Sequence, residues 1–190
     1  MVRAGLIIAG LLSLLISCNN SESVKQDREQ KDSLSRLSID TVPGQAAEKD
    51  LKLESYCNHK FYYCIDYPVE LLYPEGEAEN GDGQAFKSAD GSTLLLVYRD
   101  FRDNMYPENT FTIETAFKED LKSHSKPPKT ISYKTCTNDF FVISGHNNGK
   151  IFYQKTILAD GQLVTSILEY NDNEKEIYNA VAERIFKSFK

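Results

Sequence analysis

FFVISGHNNGKIFYQKTILADGQLVTSILEY, residues 140–170, holds three extended runs separated by two tight-turn pairs. Asn148-Gly149 and Asp160-Gly161 tolerate the positive φ that a two-residue hairpin requires. Their flanks are rich in β-branched and aromatic residues. FFVISGH (140–146), KIFYQKTILA (150–159) and QLVTSILEY (162–170) therefore read as consecutive antiparallel strands. Phe140 to Ile143 is apolar without interruption, which suits a strand covered on both faces.

The same grammar extends outward. Asp90-Gly91 marks another hairpin, between QAFKS (84–88) and STLLLVYRDF (92–101), and Leu94 to Val97 is again continuously apolar. ISYKTC (131–136) alternates and reads as half-buried. In TIETAFKEDLKSH (112–124), Ile113, Ala116, Phe117 and Leu121 follow helical spacing, and Pro127-Pro128 forbids continuation. Near the C-terminus Ile177, Val181, Ile185 and Phe189 recur every four residues, with Asn173 as the N-cap and Glu174 and Glu176 in the first turn. The order is two or three strands, a helix, four strands and a helix. Such an order predicts an α+β sandwich: a mostly antiparallel sheet of six to seven strands with two helices packed on it.

Every aromatic residue, 11 Tyr and 10 Phe, lies between Tyr56 and Phe189, so residues 54–190 form a single globular domain. Residues 19–53 carry no aromatic and mix charges of both signs, which leaves too little apolar surface to offset ordering entropy. They read as a flexible spacer with a reach of roughly 30 Å. Ahead of them, Arg3 precedes an apolar run from Ala4 to Ile16. A membrane span needs about 20 residues, so this run suits the middle of a secretory signal.

Leu15-Ile16-Ser17-Cys18 resembles the lipobox of bacterial lipoproteins. The resemblance implies a signal peptide over 1–17, lipidation of Cys18, and a lipidated cysteine with its tether over 18–53. Two or three acyl chains give stable attachment at roughly 0.8 kcal/mol per buried CH₂. It also implies a cell-envelope location. Asn19 replaces the aspartate associated with inner-membrane retention in some bacteria, which points to the outer membrane. The 28 acidic against 22 basic residues, net −6, disfavour nucleic acid and anionic headgroups as partners. Loss of Arg3 makes the mature chain one unit more negative still. Membrane association therefore rests on the acyl chains.

FYYCIDYPVELLYPEGEAENGDGQAFKSADGSTLLLVY (61–98) resembles the opening of PsbP-like domains, through Ile65, Tyr67-Pro68, Gly81, Gly83, Phe86 and Asp90-Gly91. The resemblance implies a first strand, a Tyr-Pro step, a loose Gly-rich loop and a hairpin. Members of that fold include photosystem accessory proteins and nuclear-transport binders, which implies binding more than catalysis. It carries no site residues across.

Candidate chemistry is sparse. His59, His124 and His146 adjoin turns or helix ends, lack metal-ligand spacing and read as exposed turn histidines. Ser144-Gly145-His146 sits between two strands, not at the strand-to-helix turn of a hydrolase elbow. Glu75, Glu77, Glu79 and Asp82 make an acidic loop without EF-hand spacing, so no metal and no cofactor is expected. Tyr62, Tyr63, Tyr67 and Tyr73 offer stacking faces, although Tyr62 and Tyr63 must point to opposite sides of a strand, leaving one in the core. Asp100 and Asp103 alternate with Arg99 and Arg102 as a self-neutralised surface.

Among the remaining cysteines, Cys57, Cys64 and Cys136 allow three single bridges, always with one thiol left over. Asn58-His59 can turn the chain so that Cys57 faces Cys64 across a short hairpin. That bridge would stabilise by roughly 2.5 kcal/mol on the chain-entropy model and clamp the tether to the core. Cys136 then remains a small apolar residue with a free thiol; the alternative is three unpaired cysteines.

The expected function is non-enzymatic: a membrane-anchored envelope lipoprotein that binds a protein or a cell-envelope ligand. The alternative is an envelope hydrolase whose site forms only in three dimensions. A pocket of several hundred Å³ collecting a histidine and a carboxylate would favour the enzyme, and a flat sheet face or shallow groove would favour binding. Cys18→Ser tests the anchor directly: the product should be uncleaved or should leave the membrane fraction. Normal cleavage and pelleting at high salt would contradict the lipobox reading.

Overall fold

The computed structural model describes residues 51–107 and 110–190. The expected signal peptide, Cys18 and the expected tether up to residue 50 lie outside the described residues. Two strands, β1 (Leu53–Asn58) and β2 (Tyr63–Pro68), pair as an antiparallel ribbon. Three more follow, β3 (Tyr73–Glu77), β4 (Gly83–Lys87) and β5 (Leu94–Asp100), and then a 3-10 turn over Phe101–Met105. Next come α1 (Ile113–His124), β6 (Lys129–Cys136), β7 (Phe140–Asn147), β8 (Lys150–Ala159) and β9 (Gln162–Asn171). A second 3-10 turn, Asp172–Glu174, leads into α2 (Lys175–Ser188). The main sheet has seven strands in the order β3-β4-β5-β9-β8-β7-β6, antiparallel throughout.

Five strands precede α1, not two or three. The two strands beyond three are β1 and β3, and β3 occupies part of the expected Gly-rich loop. Its side chains are exposed throughout, so it has no buried face from which an alternating pattern could arise. Pro74 is tolerated there because β3 is an edge strand with a register shift before Glu77.

Side chains alternate between the two sheet faces. Leu95 and Val97 of β5, with Val164, Leu168 and Tyr170 of β9, meet one layer built from α2 and the ribbon. Into that layer α2 inserts Tyr178, Val181, Ala182, Ile185 and Phe186, and β2 inserts Tyr63, Ile65 and Tyr67. The opposite face packs Phe141, Ile143, Phe152 and Leu163 against Ile113 and Ala116 of α1. Coverage of this second face is unequal. Helix α1 lies over β6 and β7, whereas the same face of β4 and β5 keeps only half-buried side chains at Ala85, Leu94, Leu96 and Tyr98. Leu94 to Val97 is thus not covered on both sides, as its composition suggested.

Two details of α2 also differ from the pattern. Ile177 is exposed, because the helix phase turns Tyr178 and Val181 inward. Asn173 is not the cap: the Asn171 N–H donates to Glu174 Oε2 at 3.2 Å, ahead of the 3-10 turn. At the other end Lys155 Nζ donates to the carbonyls of Phe186 (2.6 Å) and Phe189 (3.2 Å), satisfying orphan helix-end acceptors. Burial holds the Lys155 pKa below its ordinary value. Cys64 and Lys190 exchange backbone hydrogen bonds at 2.9 and 3.2 Å, so the segment after α2 is tied to the ribbon.

Ser166, on the face toward α2, is fully buried, and its hydroxyl has no partner. An unsatisfied buried hydroxyl costs free energy that a methyl group would not. Ser166→Ala should therefore raise stability by about 1 kcal/mol in urea unfolding. A loss of similar size would show that the hydroxyl is bonded in solution.

Candidate functional site

The densest polar cluster lies where α1 meets the sheet. Arg102 leaves β5 on the 3-10 turn and places its guanidinium between two carboxylates. Nε donates to Asp100 Oδ2 (2.8 Å), while Nη1 and Nη2 donate to Asp120 Oδ1 (2.6 Å) and Oδ2 (3.1 Å) in a bidentate fork. Gln154 of β8 donates through Nε2 to Asp120 Oδ2 (2.6 Å) and to Thr156 Oγ1 (3.1 Å). Thr156 in turn meets the buried Thr165 hydroxyl at 2.9 Å.

Since the amide nitrogen of Gln154 is donating, its oxygen accepts from His124 Nε2 at 2.7 Å. The other ring nitrogen, Nδ1, faces Lys129 Nζ at 3.3 Å and serves as acceptor. His124 is therefore held neutral, stacked on Phe152 with ring centroids 4.7 Å apart. Burial, with the Lys129 ammonium adding to it, keeps its pKa below the ordinary value, against the opposing pull of the Gln154 hydrogen bond. Sequence spacing suggested an exposed turn histidine. His124 does end α1, but it is only 8% exposed, because its ring packs on Phe152 and Gln154 of β8.

The alternating Arg/Asp pairs form as expected, but not on the surface. Arg99 pairs with Asp103 at 2.6 Å and Asp100 with Arg102 at 2.6 Å, while Arg99 and Asp100 are themselves buried. They point to opposite faces of β5 and fasten its end to the 3-10 turn. Arg99 also donates to Gln162 Oε1 (2.9 Å) and to the Leu163 carbonyl (3.3 Å).

A groove of about 660 Å³ opens between the start of α1 and the β6–β7 turn, floored by Phe111, Ile113, Phe117, Cys136 and Leu158. Its charged rim is a Glu114–Lys118 pair at 2.8 Å, and no histidine lines it. Its one carboxylate, Glu114, is engaged by Lys118, and burial pushes the pKa of its one thiol, Cys136, up.

The other candidates disperse. His59 and His146 are exposed. His146 shares a face of β7 with Ser144, but its contacts are to Ser132 Oγ (3.4 Å) and Asp172 Oδ1 (3.5 Å). The residue types are those of a hydrolytic triad. All three side chains are exposed, however, and neither contact is short enough to activate a hydroxyl. In the acidic loop, Glu75 pairs with Lys87 (2.8 Å), Glu77 accepts from the Tyr56 hydroxyl (2.9 Å) and Asp82 accepts from Asn80 (2.6 Å). Among the described residues, no three His, Cys, Asp or Glu side chains converge as a metal site. Tyr63 and Tyr67 belong to the core; Tyr73 is exposed, and so is Tyr62, at positive φ in the β1–β2 turn.

Cys57 and Cys64 stand opposite each other in the ribbon with Cα atoms 4.2 Å apart and form a disulfide. Asn58 shapes the turn between them by accepting from the N–H groups of Lys60 and Phe61, both at 3.0 Å. Cys136 is a free thiol whose pKa is pushed up by burial.

Solved structures share this arrangement. The solution structure of cyanobacterial PsbP (CyanoP) from Synechocystis sp. PCC 6803 aligns over 74% of this chain and 93% of its own. The TM-score is 0.53 and the sequence identity 12%. At that identity the likeness establishes a PsbP-like fold. No protein-family model matches the chain, and no curated protein matches its sequence.

The neutral state of His124 carries a pH dependence. Because its folded pKa lies below the ordinary 6.5, the unfolded chain takes up the proton first. The stabilisation is complete above about pH 6.5 and is lost as the pH falls through the folded pKa. Thermal unfolding between pH 8 and 5 should show that loss in the wild type and a flatter profile in His124→Asn. At neutral pH His124→Ala should cost about 2 kcal/mol by stranding Gln154. A wild-type profile unchanged by His124→Asn would contradict the neutral assignment.

Proposed function

We propose that the chain is a lipid-anchored lipoprotein of the cell envelope whose domain is a non-enzymatic binding module. Cys18 carries the anchor, residues 18–53 lift the domain from the membrane, and the outer membrane is the favoured location. The observation that carries the binding reading is the state of the titratable groups. Arg99, Arg102, Asp100, Asp120 and His124 are all consumed by partners within the protein, and the large groove collects no imidazole beside its carboxylate. A catalytic site needs at least one such group facing a void where substrate can sit.

The PsbP-like fold is compatible with this role. The ribbon contributes a rigid, disulfide-closed support, and the tether would join it at Leu53, which pairs with Pro68 at the end away from the Tyr62 turn.

Affinity capture from detergent-solubilised envelope, using the full lipidated chain as bait, tests the reading together with a panel of chromogenic ester and glycoside substrates. The expected result is a stoichiometric bound partner and no turnover above the buffer rate. Turnover that disappears in Ser132→Ala or His146→Ala would overturn the reading in favour of a hydrolase.

A further inference from the structure

In an antiparallel sheet, a face left to water is normally lined by polar side chains. The α1 side of β4, β5 and β9 departs from that rule. Strand register places Ala85, Leu96 and Ile167 in one row across the three strands, with Leu94 and Tyr98 on either side along β5. All five are half-buried, and α1 covers the other end of this face. Around this apolar floor the charge is lopsided. Asp82 and Glu169 border it; of the basic groups nearby, Lys87 is paired with Glu75, Arg102 is shared by Asp100 and Asp120, and Lys150 donates to the Ser92 carbonyl at 2.8 Å. At the β3–β4 end the floor deepens into a hollow of about 170 Å³ between Ala85, Leu96 and Tyr98, with Glu77 and Asp82 among its lining residues.

We propose that this face docks a basic amphipathic helix of a partner protein, its apolar stripe on the Ala85–Leu96–Ile167 row and its Lys or Arg residues against the carboxylate rim. The inference rests on the binding-module reading and names the surface and partner class. Strand addition is ruled out here, because β4, β5 and β9 already have neighbours on both sides. The dimensions suit a helix: three strands about 4.8 Å apart span about 10 Å, the diameter of one helix. The run from Leu94 to Tyr98, at about 3.3 Å per residue, matches between two and three helical turns. A second copy of this chain would bring the same acidic rim against itself, and an anionic lipid surface would meet the same repulsion.

The test uses the full chain and an acetylated, amidated 18-residue helix of Leu and Lys with Leu at helical spacing, titrated by calorimetry. A Leu/Glu peptide of the same pattern is the control. Expected are saturable binding of the Leu/Lys peptide that weakens with salt, none of the Leu/Glu peptide, and about tenfold weaker binding in Leu96→Lys and in Glu169→Lys. Both substitutions lie on a half-exposed face, and circular dichroism checks that the fold is retained. Ile167→Gln serves as a milder third variant. Equal binding of both peptides, or unchanged affinity in all three variants, overturns the proposal. Sedimentation showing a dimer that Leu96→Lys dissociates would overturn it in favour of a second copy. Hydrolytic turnover with intact peptide binding would instead remove the non-enzymatic reading and leave this surface standing.

Discussion

The guanidinium of Arg102 bridges Asp100 at the end of β5 and Asp120 in the middle of α1, and the seat of the helix on the sheet depends on that bridge. Gln154 extends it into β8, and His124 closes it one turn later on the helix. A helix with only Ile113, Ala116 and His124 buried has a modest apolar contact, so directional bonds decide where it sits. With α1 so placed, Phe141, Ile143 and Phe152 are covered, the groove beside Phe117 is shaped, and Ala85, Leu94, Leu96 and Tyr98 of β4 and β5 stay half-buried on that side.

The two faces of the sheet therefore differ in physical character. Against α2 and the ribbon, packing is apolar and continuous, from Phe86 through Leu168 to Phe189. Polar groups in that layer include a fastening, Lys155 on the carbonyls that end α2, and the unpartnered Ser166 hydroxyl. Against α1 it is mixed, with a stripe of Gln154, Thr156 and Thr165 between helix and strands. Beyond the stripe the apolar character returns at Leu96 and Ile167 without a cover. On this side of the sheet the ionisable groups serve as structural bonds, and the apolar side chains of β4, β5 and β9 beyond them stay half-buried.

Much of the fold was legible because its signals are local. Asn148-Gly149, Asp160-Gly161 and Asp90-Gly91 set three hairpins, and Pro127-Pro128 ends α1 where the pattern required. The Cys57–Cys64 pairing was legible too, from the short turn between the two residues. Strand β3 was not, since an edge strand exposed on both sides leaves no periodicity. Nor was the α1 junction, because Arg102, Asp120 and Gln154 are far apart in sequence and each is unremarkable alone. A faint signal existed: Gln154 and Thr156 interrupt the β8 face that otherwise carries Phe152 and Leu158, and Asp120 and His124 share one helix face. Ile177 misled because each step of four residues overshoots a 3.6-residue turn by about 40°, so the series drifts off the buried face, and Asn173 misled because it lies within the 3-10 turn that precedes α2.

The claim that the Arg102 cluster is a structural lock, not a reaction centre, is tested most directly by a double-mutant cycle. Urea unfolding would compare Arg102→Met, Asp120→Leu and the double variant with the wild type. Each single change should cost about 3 kcal/mol by stranding the other charge, and the double should cost little more than either. Single variants within about 0.5 kcal/mol of the wild type, or losses that simply add, would contradict the account.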